Sequence, residues 1–432
     1  MGDVYHNPVS DESLALMKGW IDECQRGHQL CRTTPQQIDG LKRLLQYLPD
    51  DGSVRLVETQ SRSQRCDYIA LSYCWGDGKA VKKTTEKTLG EHQRGISDES
   101  LPQLFQEVVA LARRLNIAHL WIDSLCIIQD SDKYKVEKIK QMNDIFRRAL
   151  VVVVAATAKS PLDSLLRVKP QDQSHTWRTA RLLRYQEMDL DVKSRKRPEK
   201  AHSWTDATYD TPITERAWCF QEKLLASRYL VFCEDEVVWE CQSHCLCECG
   251  GEQEHFSDEV RMTRYQKMLL PLAEHEPLQL DGTLRYFADA ETAYSFWETA
   301  VENYSRRALT LRTDTLAAIS AVASTVAEAT GDRYLAGLWI DKLLAGLCWF
   351  PWVPVSHFDQ GYTAPTWSWA SYPGWIQYTP SYRTRDWRDA DDQATVINAG
   401  TNLKGPDQHG PVSDGAIVLS GVHCDVEMTL SE

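Results

Sequence analysis

The segment Tyr68-Ile-Ala-Leu-Ser-Tyr-Cys-Trp75 is a short, mostly apolar run that ends at the turn Gly76-Asp77-Gly78. An apolar run of this length before a glycine-rich turn predicts a buried β-strand. Two further runs, Leu120–Ile128 and Leu150–Ala156, have the same character and predict two more strands. Continuous apolar strands are typical of a parallel sheet whose two faces are both covered.

Amphipathic segments separate these three predicted strands. A run with apolar residues at helical spacing follows Pro102, and the segment Val136–Phe146 carries another. The order strand, helix, strand, helix, strand implies right-handed crossovers between parallel strands. The sequence therefore predicts an α/β fold with a parallel sheet flanked by helices.

The segments that precede and interrupt this pattern differ from it. Residues 9–47 predict two helices, the second around Gln36–Tyr47. Residues 158–214 are polar and predict a long surface insertion. We therefore predict an N-terminal helical lead-in over residues 1–65 and an α/β domain over residues 66–255.

The C-terminal half has the pattern of a separate domain. Long helices are predicted at about 289–309 and 313–330, and short aromatic segments such as Ala364–Ser371 follow them. The composition of residues 385–414 predicts a loosely ordered segment. Together these patterns predict a mixed α+β domain, rich in tryptophan, over residues 256–432.

Charge and composition exclude several classes of protein. The 432 residues carry 48 Lys+Arg against 61 Asp+Glu, and this acidic balance argues against a nucleic-acid partner. The longest apolar run, Ala149–Ala156, is far shorter than the roughly 20 residues that span a bilayer, so no membrane partner is expected. The start Met1-Gly2-Asp3-Val4 lacks the features of a signal peptide. We therefore expect a cytoplasmic protein whose thirteen cysteines are reduced.

Two cysteine-rich segments predict a structural zinc site. The first is Cys24-Gln-Arg-Gly-His28-Gln-Leu-Cys31, and the second is Cys241-Gln-Ser-His-Cys-Leu-Cys-Glu-Cys249. A zinc ion that joins the two segments needs only four of these groups. The alternative is a set of reduced thiols packed beneath loops. The predicted ligands are Cys24, His28, Cys31, Cys245 and Cys247.

Four sequence blocks together carry a family resemblance. They are Tyr68–Asp77, Leu120–Asp130, Arg216–Glu222 and Pro365–Ser371. Their order and separation resemble those of the fungal heterokaryon-incompatibility (HET) domain proteins. The first three blocks lie in the HET domain proper, over about residues 66–225.

The resemblance implies an activity as well as a fold. Some HET proteins trigger cell death when genetically different hyphae fuse. The HET domain is similar to the Toll-receptor-type (TIR) domain, which is a flavodoxin-like parallel sheet. The turn after Ser72 looks like the end of the first TIR strand. The segment Trp218-Cys-Phe-Gln-Glu-Lys-Leu224 is similar to the TIR helix motif, with a lysine inserted before the leucine.

Catalytic TIR-like domains cleave the bond between nicotinamide and ribose in NAD, and their key residue is the glutamate that matches Glu222 here. The cleavage passes through a ribose cation that one carboxylate can stabilise. The resemblance thus assigns Glu222 to catalysis, with NAD as a small-molecule substrate. Ser72, Gly76 and Asp77 would lie at the carboxyl edge of the sheet and bind the nucleotide. The alternatives are a solvated or salt-bridged Glu222 and an Asp77 that only stabilises its turn.

Four further residues complete the predicted binding site. Trp75 and Trp218 would contact the base or nicotinamide, or are core aromatics. Arg216 would clamp a phosphate, or forms a structural ion pair. Asp123 lies inside an apolar run, so its carboxylate needs a partner if it does not bind ligand. The available arginines are Arg113, Arg114 and Arg216.

Three classes of function stay open at this point. The first is a cell-death effector that cleaves NAD, and the second is a non-catalytic module that self-associates or binds a protein partner. The third is an enzyme of a fungal biosynthetic pathway, which predicts a large pocket lined by the C-terminal tryptophans. Catalysis requires Glu222 to face a cleft with Ser72, whereas a Glu222 in open solvent favours the interaction module. A cysteine hydrolase is a further chemistry, for which Cys74 or Cys126 would be the nucleophile.

Overall fold

The computed structural model of the protein divides into two compact units, Met1–Leu270 and Pro271–Glu432. The residues it describes are 7–28, 31, 41–48, 53–59, 66–131, 142, 144–166, 178–185, 188–194, 211–234, 236–248, 289–352, 361–378 and 394–421. Within these ranges, no helix has both the length and the apolar character that crossing a bilayer requires.

Unit 1 is built on a mixed eight-stranded sheet. Its strand order is β10-β9-β8-β5-β3-β4-β1-β2, and a separate antiparallel pair is formed by β6 and β7. The strands are β1 Arg43–Tyr47, β2 Val54–Glu58, β3 Tyr68–Ser72, β4 His119–Trp121, β5 Val151–Ala155, β6 Arg178–Tyr185, β7 Met188–Ser194, β8 Arg228–Phe232, β9 Val237–Cys241 and β10 Cys245–Cys247.

Four neighbouring strands of this sheet run parallel, namely β8, β5, β3 and β4. Numbered by their order along the chain, these four strands lie in the spatial order 2-1-3-4, which is the flavodoxin-like order. The prediction of an α/β fold is confirmed. The strand order changes direction between β3 and β5, and ligands of such sheets bind at the carboxyl edge near that point.

Five helices of unit 1 are described over their whole length, and residues 142 and 144–148 are the described part of another. The five are α1 Asp11–Gly27, α2 Leu89–Arg94, α3 Gln103–Leu115, α4 Asp123–Cys126 and α5 Ala217–Leu225. The Ser10 hydroxyl caps α1 by accepting a hydrogen bond from the Ser13 backbone N–H. In α3, apolar residues at helical spacing are all buried, as their pattern predicts. A 3₁₀ turn at Asp98–Ser100 precedes α3.

Two predicted elements of unit 1 are wrong. The described part of the helix predicted around Gln36–Tyr47 is the strand β1, which lies between β2 and β4. Its adjacent residues Leu44 and Leu45 are both fully buried, a pattern that fits a strand covered on two faces as well as a helix. The strand predicted over Leu120–Ile128 stops at Trp121, and the chain then turns into α4.

In the part of unit 2 that the structure describes, three helices combine with three small antiparallel sheets. Its helices are α6 Ala290–Tyr304, α7 Ser320–Thr330 and α8 Leu343–Gly346, with 3₁₀ turns at Arg312–Asp314, Ala317–Ile319 and Trp369–Ser371. Its strands are β11 Tyr334–Leu335, β12 Leu338–Trp339, β13 Trp349–Pro351, β14 Ile376–Tyr378, β15 Ala394–Leu403 and β16 Val412–Gly421.

The last two strands correct the prediction of loose order over residues 385–414. β15 and β16, of ten residues each, form an antiparallel hairpin over residues 394–421, and residues 385–393 lie outside the described residues. Most of its side chains are exposed on both faces. A strand without a buried face has no apolar alternation, so the pattern that identifies strands in the sequence is missing.

Buried aromatic rings form the core of unit 2. The indole N–H groups of Trp297 and Trp369 both donate to the carbonyl of Gly337, over 3.0 and 2.9 Å. Trp339 packs against Trp297 with ring centroids 5.6 Å apart. Gly337 has a backbone φ of +100°, and a Cβ there would lie 2.5 Å from the Trp369 ring nitrogen. The tight turn and the ring packing therefore both require glycine.

We expect Gly337→Ala to lower the free energy of unfolding by about 3 kcal/mol, because it combines an unfavourable φ with overpacking. The matched control is Gly331→Ala, since Gly331 also has a positive φ of +69° but has open space where a Cβ would lie. That change should cost only about 1 kcal/mol. Urea unfolding followed by tryptophan fluorescence measures both. Equal losses would contradict the role assigned to the ring contact.

Candidate functional site

The candidate site lies where the central strand β3 ends. Ser72 is the last residue of β3 and is paired in register with Val154 of the neighbouring parallel strand β5. The next residues, Tyr73 to Gly76, leave the sheet at its carboxyl edge. Because β3 and β5 flank the point at which the strand order reverses, this is the edge at which an α/β sheet binds ligands.

Helix α5 brings Glu222 to this strand end. Most of the residues of α5 are buried, and Glu222 itself is only 8% exposed. The Ser72 hydroxyl donates a hydrogen bond to Oε2 of Glu222. The two residues are 150 positions apart in the chain, so the contact depends on the whole fold. Glu222 is therefore neither in open solvent nor salt-bridged at the surface.

The surroundings of Glu222 favour its neutral form. Burial raises the pKa of its carboxyl to about 8, and the negative charge of Asp123 also acts to raise it. The hydrogen bond from Ser72 and the positive charge of Arg216 act in the opposite direction. A carboxyl group with a pKa near neutral pH can gain or lose a proton under working conditions, a property common among catalytic acids and bases.

Asp123 occupies the end of the next strand and is part of the same edge. It is the first residue of α4, and one residue separates it from the end of β4. Its carboxylate accepts hydrogen bonds from the Tyr73 hydroxyl at 2.9 Å and from the Trp75 indole at 2.8 Å. It also accepts the backbone N–H of Ser124 at 2.6 Å. Burial raises the pKa of Asp123, and these three donors oppose the increase.

The arginine nearest to these acids is Arg216, which directly precedes α5. Its guanidinium donates to the Tyr73 carbonyl at 3.1 Å, and its positive charge acts on both Glu222 and Asp123. The other two arginines considered as partners of Asp123 lie elsewhere. Arg113 stacks over the Tyr47 ring, and Arg114 pairs with Asp11.

The turn after β3 is held by contacts within the protein. Gly76 has a φ of +62°, and a Cβ there would lie 2.9 Å from the Cβ of Ser160. Asp77 is exposed, and its side chain accepts the backbone N–H of Lys79 at 2.9 Å. Its contacts are those of a residue that stabilises its own turn. Two tryptophans were predicted to contact the base or nicotinamide. Of these, Trp75 contacts Asp123, and Trp218 lies partly exposed on α5.

The thiols at this edge are poor nucleophiles. Burial raises the pKa of Cys74 to about 11, which disfavours the reactive thiolate. Cys126 is fully buried in α4, and its thiol lies 3.9 Å from a backbone carbonyl. His119, a histidine that could act as a base for such a thiol, lies instead beside Cys66, with 3.0 Å between Nδ1 and Sγ. No pattern in the sequence singled out Cys66.

The Cys66–His119 pair lines a cavity of about 430 Å³. Its lining also includes Asp67 and Leu150. Cys66 and Asp67 precede β3, Leu150 precedes β5, and His119 is the first residue of β4. The cavity therefore lies at the amino edge of the parallel strands, opposite Glu222. Enzymes with this type of sheet usually bind substrate at the carboxyl edge. Because the cavity lies at the opposite edge, it does not identify the candidate site.

The predicted metal ligands are only partly brought together. Cys24, His28 and Cys31 lie close to one another, and their fourth neighbour is Cys241. The predicted ligands Cys245 and Cys247 lie on β10, outside this group. The sequence placed Cys241 in the same cysteine-rich segment but gave no reason to prefer it.

One family model matches the chain. Residues 68–222 match the model described as Heterokaryon incompatibility protein (HET), and this range is about a third of the chain. It begins at the first residue of β3 and ends at Glu222, so it contains the whole candidate site. No curated protein and no solved structure matches the chain. The chain therefore contains a heterokaryon-incompatibility domain.

The raised pKa of Glu222 predicts how Glu222→Gln changes stability with pH. Below pH 4.5, which is the ordinary pKa of a glutamate, Glu222 is protonated in both the folded and the unfolded chain. Its contribution to the free energy of unfolding is then fully present. As the pH rises to about 8, only the unfolded chain ionises, and the wild type loses stability. Glutamine does not ionise. The free energy of unfolding of the variant should therefore rise relative to that of the wild type by up to about 4 kcal/mol across this pH window.

Chemical denaturation at a series of pH values measures this difference. The control is Glu215→Gln, which removes a carboxyl at an exposed position of the same segment. The control should differ from the wild type by a small, nearly constant amount. A Glu222→Gln curve that runs parallel to the wild type would show that Glu222 is ionised in the folded chain.

Proposed function

We propose that this HET-domain protein is an effector of heterokaryon incompatibility that cleaves NAD between nicotinamide and ribose. The observation that carries the proposal is the position of Glu222. It bonds to the last residue of β3, at the carboxyl edge and beside the point where the strand order reverses. The resemblance of this strand end and of α5 to TIR-like domains supplies the reaction.

The proposed chemistry needs one carboxylate beside the ribose. The bond between the ribose C1′ and the nicotinamide nitrogen breaks, and its electron pair leaves with nicotinamide as a neutral molecule. The ribose cation that results is stabilised by the ionised Glu222. Water then bonds to C1′ and releases one proton, so the products are nicotinamide, ADP-ribose and a proton.

The neutral resting state of Glu222 is compatible with this role. The nicotinamide ring of NAD is positively charged, and a positive charge close to a carboxyl group lowers its pKa. Substrate binding would therefore generate the carboxylate that the reaction uses. Because Glu222 is only 8% exposed, the site must first open at the Ser72 contact to admit the ribose. Self-assembly of the chain is one source of such an opening.

Neighbouring groups have positioning roles in this proposal. Asp123 connects Tyr73 and Trp75 through two hydrogen bonds, so the strand end and its aromatic side chain form one unit. The Trp75 ring keeps partial exposure, with the Lys83 ammonium 5.1 Å from its centroid, and would stack on nicotinamide once that cation moves aside. The positive charge of Arg216 acts on both acids at this edge, and its guanidinium would contact a phosphate of bound NAD.

The test is nicotinamide release from NAD by the purified chain at high concentration. Wild-type protein should release nicotinamide, and at NAD concentrations well below KM, where the unbound enzyme predominates, the rate should rise with pH until about 8 as Glu222 ionises. Glu222→Gln should lower the rate at least about a hundredfold, because it removes the charge that stabilises the transition state. Glu215→Gln is the control and should keep the wild-type rate. Wild-type protein that is folded, concentrated and inactive over the whole pH range would refute the proposal.

A second candidate is a non-catalytic module that acts by self-association. It is favoured by one observation on the β15–β16 hairpin, which exposes large apolar side chains. They are Ile397, Leu403, Val418 and Leu419, each between 42% and 62% exposed. Exposed apolar patches often mark protein interfaces. The biosynthetic alternative lacks such support, since Trp297, Trp339 and Trp369 fill the core of unit 2.

Light scattering during size-exclusion chromatography tests this second candidate. The wild-type chain should gain mass as its concentration rises, and Val418→Asp should reduce that gain because it places a charge in the interface. Ser420→Asp adds the same charge two residues along the same exposed strand and should have less effect. A monomer at every concentration would contradict self-association through the hairpin.

A further inference from the structure

We propose that Cys24, His28, Cys31 and Cys241 together bind one structural zinc ion. The site lies in unit 1, between the C-terminal end of α1 and the end of β9, away from the Ser72–Glu222 contact. The inference is independent of the proposed NAD chemistry, because it rests on a different group of residues.

The four candidate ligand atoms have the spacing that a zinc ion needs. All of them lie within 4.8 Å of one another, and the Cys241 Sγ is 3.4 Å from the His28 Nδ1. In tetrahedral zinc sites, with bonds of about 2.3 Å to sulfur and about 2.0 Å to nitrogen, neighbouring ligand atoms are about 3.5–3.8 Å apart. A small contraction around the ion would complete the geometry.

Local structure explains how the ligands meet. Cys24 and His28 are four residues apart at the end of α1 and therefore lie on one side of the helix. The chain then turns, since the His28 carbonyl accepts the Cys31 backbone N–H at 3.2 Å. Cys241 comes from the last position of β9, more than 200 residues later. The three cysteines are buried, and His28 is partly exposed.

Each of the three sulfur atoms has a polar neighbour. The Arg228 Nε lies 3.2 Å from the Cys24 Sγ, and the His244 backbone N–H donates to the Cys241 Sγ at 3.3 Å. The Ser243 hydroxyl is 3.7 Å from the Cys31 Sγ. Hydrogen bonds to the ligand atoms are typical of metal sites, where they fix ligand orientation and stabilise thiolates.

Charge gives an independent argument. Arg228 is only 2% exposed, and its other described partners are the carbonyls of Cys31 and Leu150, at 2.7 and 3.4 Å. A buried guanidinium needs a negative charge nearby, and neutral thiols do not provide one. A zinc ion with three thiolates and one neutral imidazole has a net charge of −1. The complex and Arg228 would together be electrically neutral.

The donor set favours zinc in a closed, structural site. Three soft thiolates and one imidazole in a tetrahedral arrangement are typical of structural zinc, and four protein ligands leave no position for a substrate. All three cysteines are free thiols in the structure. The ion would link α1 to the β8–β9 side of the sheet, so metal binding would contribute directly to folding.

The test is the metal content of the full chain, purified without chelators from cells grown with zinc. Elemental analysis should find about one zinc ion per wild-type chain. Cys241→Ser and Cys31→Ser should reduce zinc to background. Cys245→Ser is the matched control, because it changes a cysteine of the same segment that lies outside the group, and it should keep its zinc.

A second measurement covers variants that fail to fold. When cobalt replaces zinc in the wild-type chain, bonds between cobalt and thiolate should produce a charge-transfer absorption band. A chelator should also lower the midpoint of thermal unfolding of the wild type. The proposal is overturned if the wild type contains no stoichiometric metal and gives no cobalt band. Equal loss of zinc in Cys245→Ser would also overturn this ligand assignment.

Discussion

The hydrogen bond between Ser72 and Glu222 follows from the central position of β3. This strand has parallel neighbours on both sides, and all five of its residues are buried. Its last side chain is a hydroxyl, which must find a partner because an unpaired buried polar group is costly. Helix α5 supplies that partner 150 residues later. The contact therefore holds the helix against the strand end and at the same time isolates a carboxyl group from water.

The same edge combines acids that a purely structural core would avoid. The charge of Asp123 raises the pKa of Glu222, and Arg216 only partly compensates. The Asp123 carboxylate is held by three donors from Tyr73, Trp75 and Ser124, whereas Glu222 is bonded by the Ser72 hydroxyl and by the weaker donor of the Cys219 thiol. The two carboxyl groups thus differ in how strongly their ionised forms are stabilised. Such differences between neighbouring acids are common where one of them performs chemistry.

Much of this arrangement could be predicted from local patterns. The long apolar runs around β3 and β5 identify buried parallel strands, and the order of the blocks places Ser72, Asp123 and Glu222 in one domain. The pattern of apolar residues failed to predict elements that are short or exposed. β4 has only three residues, so the apolar run Leu120–Ile128 did not reveal the turn into α4. The hairpin β15–β16 is exposed to solvent and has no apolar face. The burial of Glu222 could not be predicted, because it depends on long-range packing.

The choice of Cys241 illustrates the same limit. Cys245, Cys247 and Cys249 alternate along the sequence and would face one side of a strand, which favours Cys247 and a neighbour as ligands. Only strand pairing separates Cys245 and Cys247 from Cys241. In the structure Cys241 pairs with Arg228, the first residue of β8. β8 runs parallel to β5, so Arg228 lies at the amino edge of the parallel strands. The proposed zinc site and Glu222 therefore lie at opposite edges of the parallel strands, whose five-residue length is about 13 Å. Loss of the metal would weaken the sheet from one edge and leave the Ser72–Glu222 contact at the other edge chemically unchanged.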